Sequence, residues 1–537
     1  MKKFYLFSAL AFGIWGQAQN YTNGYFMINE GQFGSANGSL NFIDNNDQIV
    51  YRPYATENSN GAFGATAQFG TVYGGKLFVV SKQASDNDAT YSAGGRLVVA
   101  DAVTLKKLKG FNEIDGKDGR SFLGVDEKTG YIGTSNGIYL FDIENLTIGA
   151  LIPGTDVVVD ASPDPYKTLN QIGNMIRTSQ YVFAIKQDLG IYVINPKTHQ
   201  VVQTISGSFN SIVQAKDGSV WAIKSNQLVN INPTTFAQTS YAIPTKKYDG
   251  TWGAWNAGPF TASIHENSLY FFPIDGWSTS NTLVKFDVTS KSFDENYLTV
   301  PSSAGDIYGA GIRINPQTED FIITPNEFYY TDRIIRYSKD RVQQSLLTIN
   351  GNGWYQSMPV FPDVKAPIVN SAFPTETFLT GVAAIDLKNV VSDDDNLSLA
   401  IVKSIKSNSN TSAIKAEINS IDELVLTPLN AGTANVVISF NSNGRVVEKT
   451  ISVSSSSLAT AEIKKLQLSI YPNPTTDILN IKTQDKLVEV SIFDISGRQF
   501  NVKINNGQVD VNTLQKGNYI VKVVTDKAVY QEKFIKK

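Results

Sequence analysis

The chain has 537 residues, a formal net charge of −3 from 46 basic and 49 acidic side chains, no cysteine and two histidines. The lack of cysteine excludes disulfide scaffolds, cysteine-ligated zinc and iron–sulfur sites, thiol nucleophiles and a lipid-modified cysteine anchor. The balanced charge is not typical of a nucleic-acid-binding protein. A hydrophobic content of 42% can bury a core, and 41 glycines with 11% aromatic residues favour β-structure with many turns.

The first residues have the pattern of a secretory signal peptide. Lys2 and Lys3 supply positive charge, and an apolar run follows as far as Trp15. Gly16 and Ala18 then place small residues before a predicted cleavage site. We therefore expect residues 1–18 to direct export. No later run approaches the roughly 18 apolar residues of a membrane span, so none is predicted.

A repeat organises residues 19–365. Each unit has an apolar strand, a polar loop, a second strand that ends in Asp, Asn or Ser, and a turn. The landmark residues are Asp44, Asp101, Asp142, Asn195, Asn232, Asp287 and Ser338. They recur about every 49 residues, a period typical of propeller blades of four strands each. The predicted fold class is all-β, beginning with a seven-bladed β-propeller over 19–365.

The next segment alternates apolar and polar residues at period two. This pattern predicts an immunoglobulin-like β-sandwich over 366–453, followed by a flexible linker over 454–467. Within it, Asp393, Asp394 and Asp395 form an acidic run. Their carboxylates could bind Ca²⁺, but such a turn is more often only solvated.

Residues 468–537 have the short strands and turns of a third, small β-sandwich. The motifs are Tyr-Pro-Asn-Pro-Thr over 471–475, Asp-x-x-Gly-Arg over 494–498, and Leu-x-x-Gly-x-Tyr-x-Val over 514–521. Their order resembles the type A C-terminal sorting domain of the type IX secretion system. The resemblance implies contact with the secretion machinery, passage across the outer membrane, and removal of this domain before surface attachment or release.

Catalytic chemistry has few candidates. His199 and His265 lie in turns without partners at metal-ligand spacing, and no phosphate-binding glycine loop is present. No metal or cofactor site is predicted beyond the acidic run. Carboxylates from different blades could still meet at the axis, as a glycosidase requires. A hydrolase or lyase acting through Glu30, Asp188 or Asp275 therefore stays an alternative to a non-enzymatic function.

Binding residues are more plentiful. One face of a propeller collects the links between blades and the loops after each second strand, and we call it the funnel face. Its candidate ligand-binding residues are Glu30, Gln32, Phe33, Gln68, Lys82, Arg120, Asn136, Asn170, Gln171, Lys186, Asp188, Asn210, Lys224, Trp252, Trp255, Phe260, Trp277, Tyr308, Trp354 and Tyr355. Aromatic faces with amide groups suit a large, polar, partly planar ligand. The alternative is that the tryptophans pack between blades.

Two motifs carry a second resemblance. Residues 29–44 contain Asn-Glu-Gly-x-Phe-Gly, Asn-Gly-Ser-Leu and Asp44, and residues 307–316 contain Ile-Tyr-Gly-Ala-Gly-Ile-x-Ile-Asn-Pro. They resemble the surface seven-bladed propellers of quinoprotein-amine-dehydrogenase-like fold, over about 21–365. Cobalamin-capturing propellers belong to that group, and some members serve TonB-dependent transporters. The resemblance implies capture of a small-molecule nutrient such as a corrinoid, and a transporter partner.

This chain departs from those capture proteins in one respect. They are typically lipoproteins, whereas this sequence has no lipid-anchor cysteine and carries a sorting tail. A surface adhesion or scaffold protein that binds protein or glycan is therefore the other alternative. Either way, we expect an exported protein at the outer cell surface or outside the cell.

Overall fold

The fold is described from a computed structural model. It describes residues 20–158, 170–250, 258–276, 278–327, 331–349, 354–456, 468–483, 485–494, 498–500, 502–526 and 529–537. These residues belong to two compact units. The first runs to residue 428 and resumes over 432–455, and the second comprises 429–431 and the chain from 456 onward.

Seven four-stranded antiparallel sheets follow one another between residues 24 and 360 of the described chain. From the inner strand outward, sheet 1 is Gln356–Val360, Gly24–Asn29, Ser39–Asp44 and Ile49–Val50; sheet 2 is Ala65–Tyr73, Lys76–Gln83, Leu97–Asp101 and Lys107–Phe111; sheet 3 is Gly119–Gly124, Thr129–Thr134, Ile138–Asp142 and Thr147–Leu151; sheet 4 is Ile172–Arg177, Val182–Lys186, Gly190–Asn195 and Gln200–Ser206.

The remaining sheets continue the same order. Sheet 5 is Ser211–Gln214, Val220–Lys224, Gln227–Ile231 and Gln238–Ala242; sheet 6 is Phe260–Ala262, Ser268–Phe271, Thr282–Asp287 and Ser292–Thr299; sheet 7 is Asp306–Ile314, Phe321–Asn326, Asp332–Tyr337 and Gln343–Ile349. Smaller elements lie between them: the helix Pro53–Glu57, the 3₁₀ turn Ser302–Ala304, and a sheet of Tyr248–Gly250, Ile274–Gly276 and Ser278–Thr279.

The sheets form a closed ring. Each inner strand contacts the inner strand of the next sheet, and the inner strand of sheet 1 contacts those of sheets 7 and 2. A buried apolar cluster lies between each consecutive pair of sheets. Between sheets 7 and 1, for example, Tyr25 and Met27 pack with Ile322 and Ile334. Because every sheet buries both faces against neighbours, the predicted β-propeller is confirmed.

The landmark Asp and Asn residues close the turns between third and fourth strands. Asp101 Oδ1 accepts the N–H groups of Val103 and Thr104, at 3.0 and 2.7 Å. Asn232 Oδ1 accepts those of Thr234 and Thr235, both at 2.9 Å. Side chains of this type favour turns because they hydrogen-bond to backbone just ahead of them. The sequence period therefore arises because the same turn between the third and fourth strands recurs along the chain.

A two-sheet β-domain follows within the same unit. Its larger sheet is Glu376–Leu379, Arg445–Ser455, Gly432–Ser442 and Val402–Asn408, and its smaller sheet is Ala383–Asp386, Glu423–Pro428 and Ile414–Ile418. Ile368–Val369 pairs with Val391–Ser392, and Ser398–Ala400 is a 3₁₀ turn. The two main sheets share one buried core, to which Leu424, Ile438 and Phe440 belong. Its immunoglobulin-like class stays a prediction.

This β-domain packs against the propeller where the inner strand of sheet 2 ends. The N–H of Gly74 donates to the Asn443 carbonyl, and Asn443 Nδ2 donates to the Val72 carbonyl, both at 3.0 Å. Gly444 has φ +84°, and a Cβ there would lie 2.4 Å from the Gly74 nitrogen. Only glycine permits so close an approach of the two backbones.

The acidic run lies at the start of the β-domain and is largely buried. Asp393 and Asp395 are buried. Asp395 Oδ2 accepts the N–H groups of Val364 and Lys365, each at 3.0 Å. The expectation of a merely solvated turn is therefore wrong for these two carboxylates. Over the described ranges, no group of three or more His, Asp or Glu is arranged to hold a metal ion, and Asp394 stays exposed.

The second unit contains two sheets. One is Leu468–Tyr471, Ile478–Thr483, Gln508–Asp510 and Ile504–Asn505, and the other is Gln499–Phe500, Leu487–Asp494, Gly517–Thr525 and Val529–Lys536. Leu479, Ile492 and Val521 belong to their common buried core. The predicted small β-sandwich is thus present. Throughout the described part of both units, no helix is long and apolar enough to cross a membrane.

Candidate functional site

The funnel face is defined by strand direction. Neighbouring strands are antiparallel, so the start of each inner strand and the end of each second strand lie at one end of each sheet. The links between sheets and the loops after the second strands share that end. The predicted candidates within the described residues come from these positions, so the topology places those candidates on one face of the ring.

Three sheets meet at Glu30 on this face. Gln68 Nε2, from the inner strand of sheet 2, donates to Glu30 Oε1 at 2.9 Å. The Tyr308 hydroxyl, from the inner strand of sheet 7, donates to the same oxygen at 2.9 Å. The N–H of Glu30 donates to the Tyr355 carbonyl at 2.8 Å. These bonds fix a carboxyl group that is only 8% exposed.

Burial shifts the charged groups around Glu30 towards neutrality. Burial raises the pKa of Glu30 to about 7, although hydrogen bonds from Gln68 and Tyr308 and the charge of Lys82 oppose the shift. Burial and the nearby Arg120 lower the pKa of Lys82 to about 8. Burial raises the pKa of Tyr308 well above its usual range, and the charge of Glu30 adds to this. Such clustered perturbations are typical of functional sites.

Arg120, whose charge acts on Lys82, bonds to Gln171 directly before the inner strand of sheet 4. Its Nε donates to Gln171 Oε1, and its Nη2 lies 3.5 Å from Asp118 Oδ2. Gln171 in turn accepts the N–H of Gln187 at its carbonyl, at 2.9 Å. Burial lowers the pKa of Arg120 to about 10, which the charge of Asp118 partly offsets. Arg120 and Gln171 are therefore buried groups that bond to each other and to neighbouring residues of the protein.

The Lys186 side chain forms its hydrogen bonds within the protein. Its side chain is buried, and Nζ donates to Asn136 Oδ1, to the Thr155 carbonyl at 3.3 Å and to the Asn170 carbonyl at 2.7 Å. Burial lowers its pKa to about 8. Lys186, Asn136 and Asn170 thus tie connecting segments together. Their predicted role as ligand contacts receives no support from these bonds.

Two predicted aromatic contacts are buried in packing. Phe260 is 1% exposed and belongs to the core between sheets 5 and 6. Trp354 is 8% exposed and belongs to the core between sheets 7 and 1, with the Arg52 guanidinium 4.5 Å from its ring centroid. The expectation that the rings of Phe260 and Trp354 are exposed to a ligand is therefore wrong. The candidates Trp252, Trp255 and Trp277 lie outside the described residues.

Phe33 is an exposed aromatic residue at this face, with 74% of its surface accessible. Its loop is held by the neighbouring loop of sheet 2. The N–H of Gly34 donates to Asp86 Oδ2, the N–H of Asn37 donates to Asp88 Oδ2 at 3.1 Å, and Asn37 Nδ2 donates to the Tyr91 carbonyl at 2.9 Å. The ring is therefore exposed on a fixed loop.

The remaining candidates of the funnel face differ in exposure and in their contacts. Asp188 is exposed and accepts a hydrogen bond from Ser208 Oγ at 3.3 Å. Lys224 Nζ lies 5.7 Å from the Phe209 ring centroid, and Gln32, Asn210 and Tyr355 are half-buried. Asp275 pairs with Lys247 at 3.1 Å. Among the described residues, no hydrogen bond joins Asp188 or Asp275 to Glu30.

Sequence reasoning missed several residues. Asp86, Asp88 and Tyr91 position the Phe33 loop, and an acidic stretch directly after a second strand was the available signal. Asp332 is buried, and burial raises its pKa to about 6 against hydrogen bonds from the Tyr355 and Gln356 backbone. Gln356 is buried, and its side-chain amide has no partner within the described chain. Neither residue has a local sequence signal.

The closed ring and its polar face define a β-propeller protein, and its second unit is a separate small β-sandwich. Residues 23–362 match the family described as a domain of unknown function (DUF5074), and the chain belongs to that family. Residues 469–537 match the secretion system C-terminal sorting domain. The chain is thus exported by the type IX route and displayed at the cell surface. No curated protein sequence matches it.

Several solved structures are similar. A quinonprotein alcohol dehydrogenase-like protein of Bacteroides thetaiotaomicron has 17% identity and a TM-score of 0.47, covering 64% of this chain and 79% of its own. PorZ of Porphyromonas gingivalis, a surface component of the type-IX secretion system, has 9% identity and a TM-score of 0.33, covering 93% and 90%. AztD of Citrobacter koseri has 10% and 0.39, covering 63% and 97%. At these TM-scores the likenesses carry no argument about function.

Proposed function

We propose that this protein is a surface-displayed, non-enzymatic binding protein whose seven-bladed propeller captures a small-molecule nutrient on the funnel face. The observation that carries the proposal is the buried carboxyl group of Glu30, which accepts hydrogen bonds from two other sheets on this face. Residues far apart in sequence converge there, as they do in small-molecule sites.

The described side chains donate hydrogen bonds to one oxygen of the Glu30 carboxyl group. Gln68 and Tyr308 both donate to Oε1, and no described residue donates to Oε2. A buried carboxylate is unfavourable unless donors satisfy it. A ligand N–H or O–H at Oε2 would supply the missing donor. Lys82, half-buried beside it, could donate to a ligand carbonyl.

The ligand class we propose is a large polar molecule such as cobalamin or another corrinoid. Its amide-bearing edge matches the amide and charged groups near Glu30, and its flat faces suit the Phe33 ring. The corrinoid identity rests on the family resemblance of residues 29–44 and 307–316. That resemblance also suggests delivery to a TonB-dependent transporter.

Titration of the full chain with cobalamin by calorimetry tests this proposal. We expect saturable binding with Kd below about 10 μM, since a nutrient receptor needs roughly 7 kcal/mol or more of binding free energy. Absence of heat at ten times that concentration would exclude the corrinoid. A thermal-shift screen of nutrients and glycans then tests the wider proposal, which fails if no compound stabilises the protein.

Phe33→Ala should weaken ligand binding without affecting the fold. The ring is exposed, so its removal should change the free energy of unfolding by less than about 0.5 kcal/mol. Loss of a stacking surface should raise the Kd about three- to tenfold. Calorimetry gives the Kd and urea titration gives the stability. Phe378→Ala, which removes an exposed ring of the β-domain, is the matched control and should leave the Kd unchanged.

A further inference from the structure

A cavity lies at the end of the propeller opposite the funnel face. It has a volume of about 320 Å³ and lies between the ends of the inner strands of sheets 2 to 5 and the β-domain. Arg177, Leu123 and Gln214 line it from the propeller, and Leu397 and Ser442 line it from the β-domain. We call it the junction cavity. It has no wall in common with the Glu30 site.

Arg177 carries the charge of this cavity. Its Nε donates to the Val125 carbonyl at 3.2 Å, and its Nη1 donates to the Thr178 carbonyl. These bonds hold the guanidinium by one edge and leave Nη2 unbonded within the described chain. Arg177 has no ion pair with any described residue. Burial lowers its pKa to about 10, so nearby groups do not fully compensate its charge.

The nearest carboxylates are already engaged. Asp126 and Asp422 are close enough to influence the charge of Arg177. Asp126 Oδ1 accepts the N–H groups of Lys128 and Thr129, at 2.9 and 2.8 Å, within its own turn. Asp422 pairs with the buried Lys403 at 3.3 Å and accepts a hydrogen bond from Gln180. Asp126 and Asp422 therefore offset part of the charge of Arg177, but neither forms an ion pair with it.

The walls are suited to an amphipathic molecule. Leu123, Ile176 and Leu397 are half-buried apolar side chains on the lining. Ser442 is buried, and its hydroxyl faces the Asp393 carboxylate, where hydrogen bonding limits the rise of the Asp393 pKa that burial causes. The lining thus offers a cation and an apolar surface together.

We infer that the junction cavity is a second ligand site, which binds a small organic carboxylate through Arg177 and places its apolar part against Leu123, Ile176 and Leu397. Guanidinium groups favour carboxylates because their paired N–H groups match the two oxygens. Since the propeller and the β-domain both contribute to the lining, the ligand also strengthens their junction. This site is separate from the one proposed at Glu30.

Phenylacetate and its neutral counterpart phenylacetamide provide the test with the full chain. Both have the same ring and nearly the same volume, and only the first carries a negative charge. Calorimetry on the unmodified protein should detect phenylacetate and show phenylacetamide to bind at least about tenfold more weakly, because the charge-assisted bond is lost. Equal affinities, or no binding of phenylacetate, would overturn the inference.

Two variants of Arg177 and one of Glu30 locate the site. Arg177→Met keeps an unbranched stem of similar reach and should weaken phenylacetate binding at least about tenfold. Arg177→Lys keeps the charge without the fork and should bind with intermediate affinity. Glu30→Gln should leave phenylacetate binding unchanged. If Glu30→Gln weakens it as much as Arg177→Met, the ligand occupies the funnel face and the inference is wrong.

Acetate is the remaining comparison. If acetate binds as tightly as phenylacetate, the cavity holds only a simple anion and its apolar wall has no role, which contradicts the inference. Near-ultraviolet circular dichroism shows whether Arg177→Met folds. If it does not, the comparison of phenylacetate with phenylacetamide and acetate on the unmodified protein still tests the inference. These results are independent of cobalamin binding.

Discussion

Glu30→Gln is expected to make the protein more stable at pH 8 and, at the same time, poorer at binding its funnel-face ligand. At that pH the buried Glu30 is ionised, and its ionisation opposes folding because burial raises its pKa from 4.5 to about 7. Glutamine has the same shape and can accept the hydrogen bonds of Gln68 and Tyr308 at its amide oxygen. We expect the free energy of unfolding to rise by roughly 1 to 3 kcal/mol.

The pH dependence of stability follows from the direction of this shift. A carboxyl group with a raised folded-state pKa favours folding in its neutral form. Its contribution is complete below pH 4.5 and is lost as the pH rises through about 7. Urea titrations of the first unit between pH 5 and 8 should therefore show a fall in stability that Glu30→Gln reduces. An unchanged slope in the variant would contradict the assignment.

Binding should change in the opposite direction from stability. Loss of the carboxylate removes the acceptor at Oε2 and raises the Kd of the funnel-face ligand about tenfold. Glu144→Gln is the matched control, because Glu144 is exposed and pairs with Lys128 at 3.4 Å on the surface. It should change neither quantity. A destabilised Glu30→Gln protein would show that the carboxylate supports the fold rather than the site.

Phe78→Ala is expected to destabilise the first unit by about 3–5 kcal/mol. Phe78 is fully buried between sheets 2 and 3, and its ring stacks on Phe122 with centroids 3.9 Å apart. It also meets the edge of Phe141, with centroids 6.0 Å apart. Truncation leaves a cavity that two neighbouring aromatic rings border. Urea unfolding followed by tryptophan fluorescence measures the loss.

The control for this variant is Phe33→Ala, which removes the same side chain from an exposed position. It should change the stability by less than about 0.5 kcal/mol. Because each sheet buries its faces only against its neighbours, we expect the sheets of the ring to unfold in one transition in both proteins. A separate early transition in Phe78→Ala would show that sheets 2 and 3 can open independently.

The sequence allowed the propeller to be predicted because its repeat has a local chemical cause. Asp101 and Asn232 recur where a turn needs a side-chain acceptor, and the apolar pairs around them mark strands. The closing strand Gln356–Val360 had no such signal, since its partner Gly24–Asn29 lies at the other end of the segment. A pairing over that distance depends on the closure of the ring rather than on local pattern.

The candidate site likewise contains residues that the sequence could predict and contacts that it could not. Glu30, Gln68 and Tyr308 were found because topology alone places strand ends together. The burial of Trp354 and the internal bonds of Lys186 depend on how neighbouring links pack, which periodicity does not encode. The charge of Arg177 at the junction cavity was missed for a related reason. Its significance comes from the β-domain that covers it, and Arg177 itself sits in an ordinary strand.

The position of the closing strand has a consequence for biogenesis. A polypeptide that crosses a membrane with its amino terminus first delivers Gly24–Asn29 early and Gln356–Val360 last. Until then, that early strand has an unpaired edge, a hazard for aggregation and for attack by proteases. The ring can therefore close only after the end of the propeller segment has been delivered, so the half-made chain is at its most vulnerable just before that point.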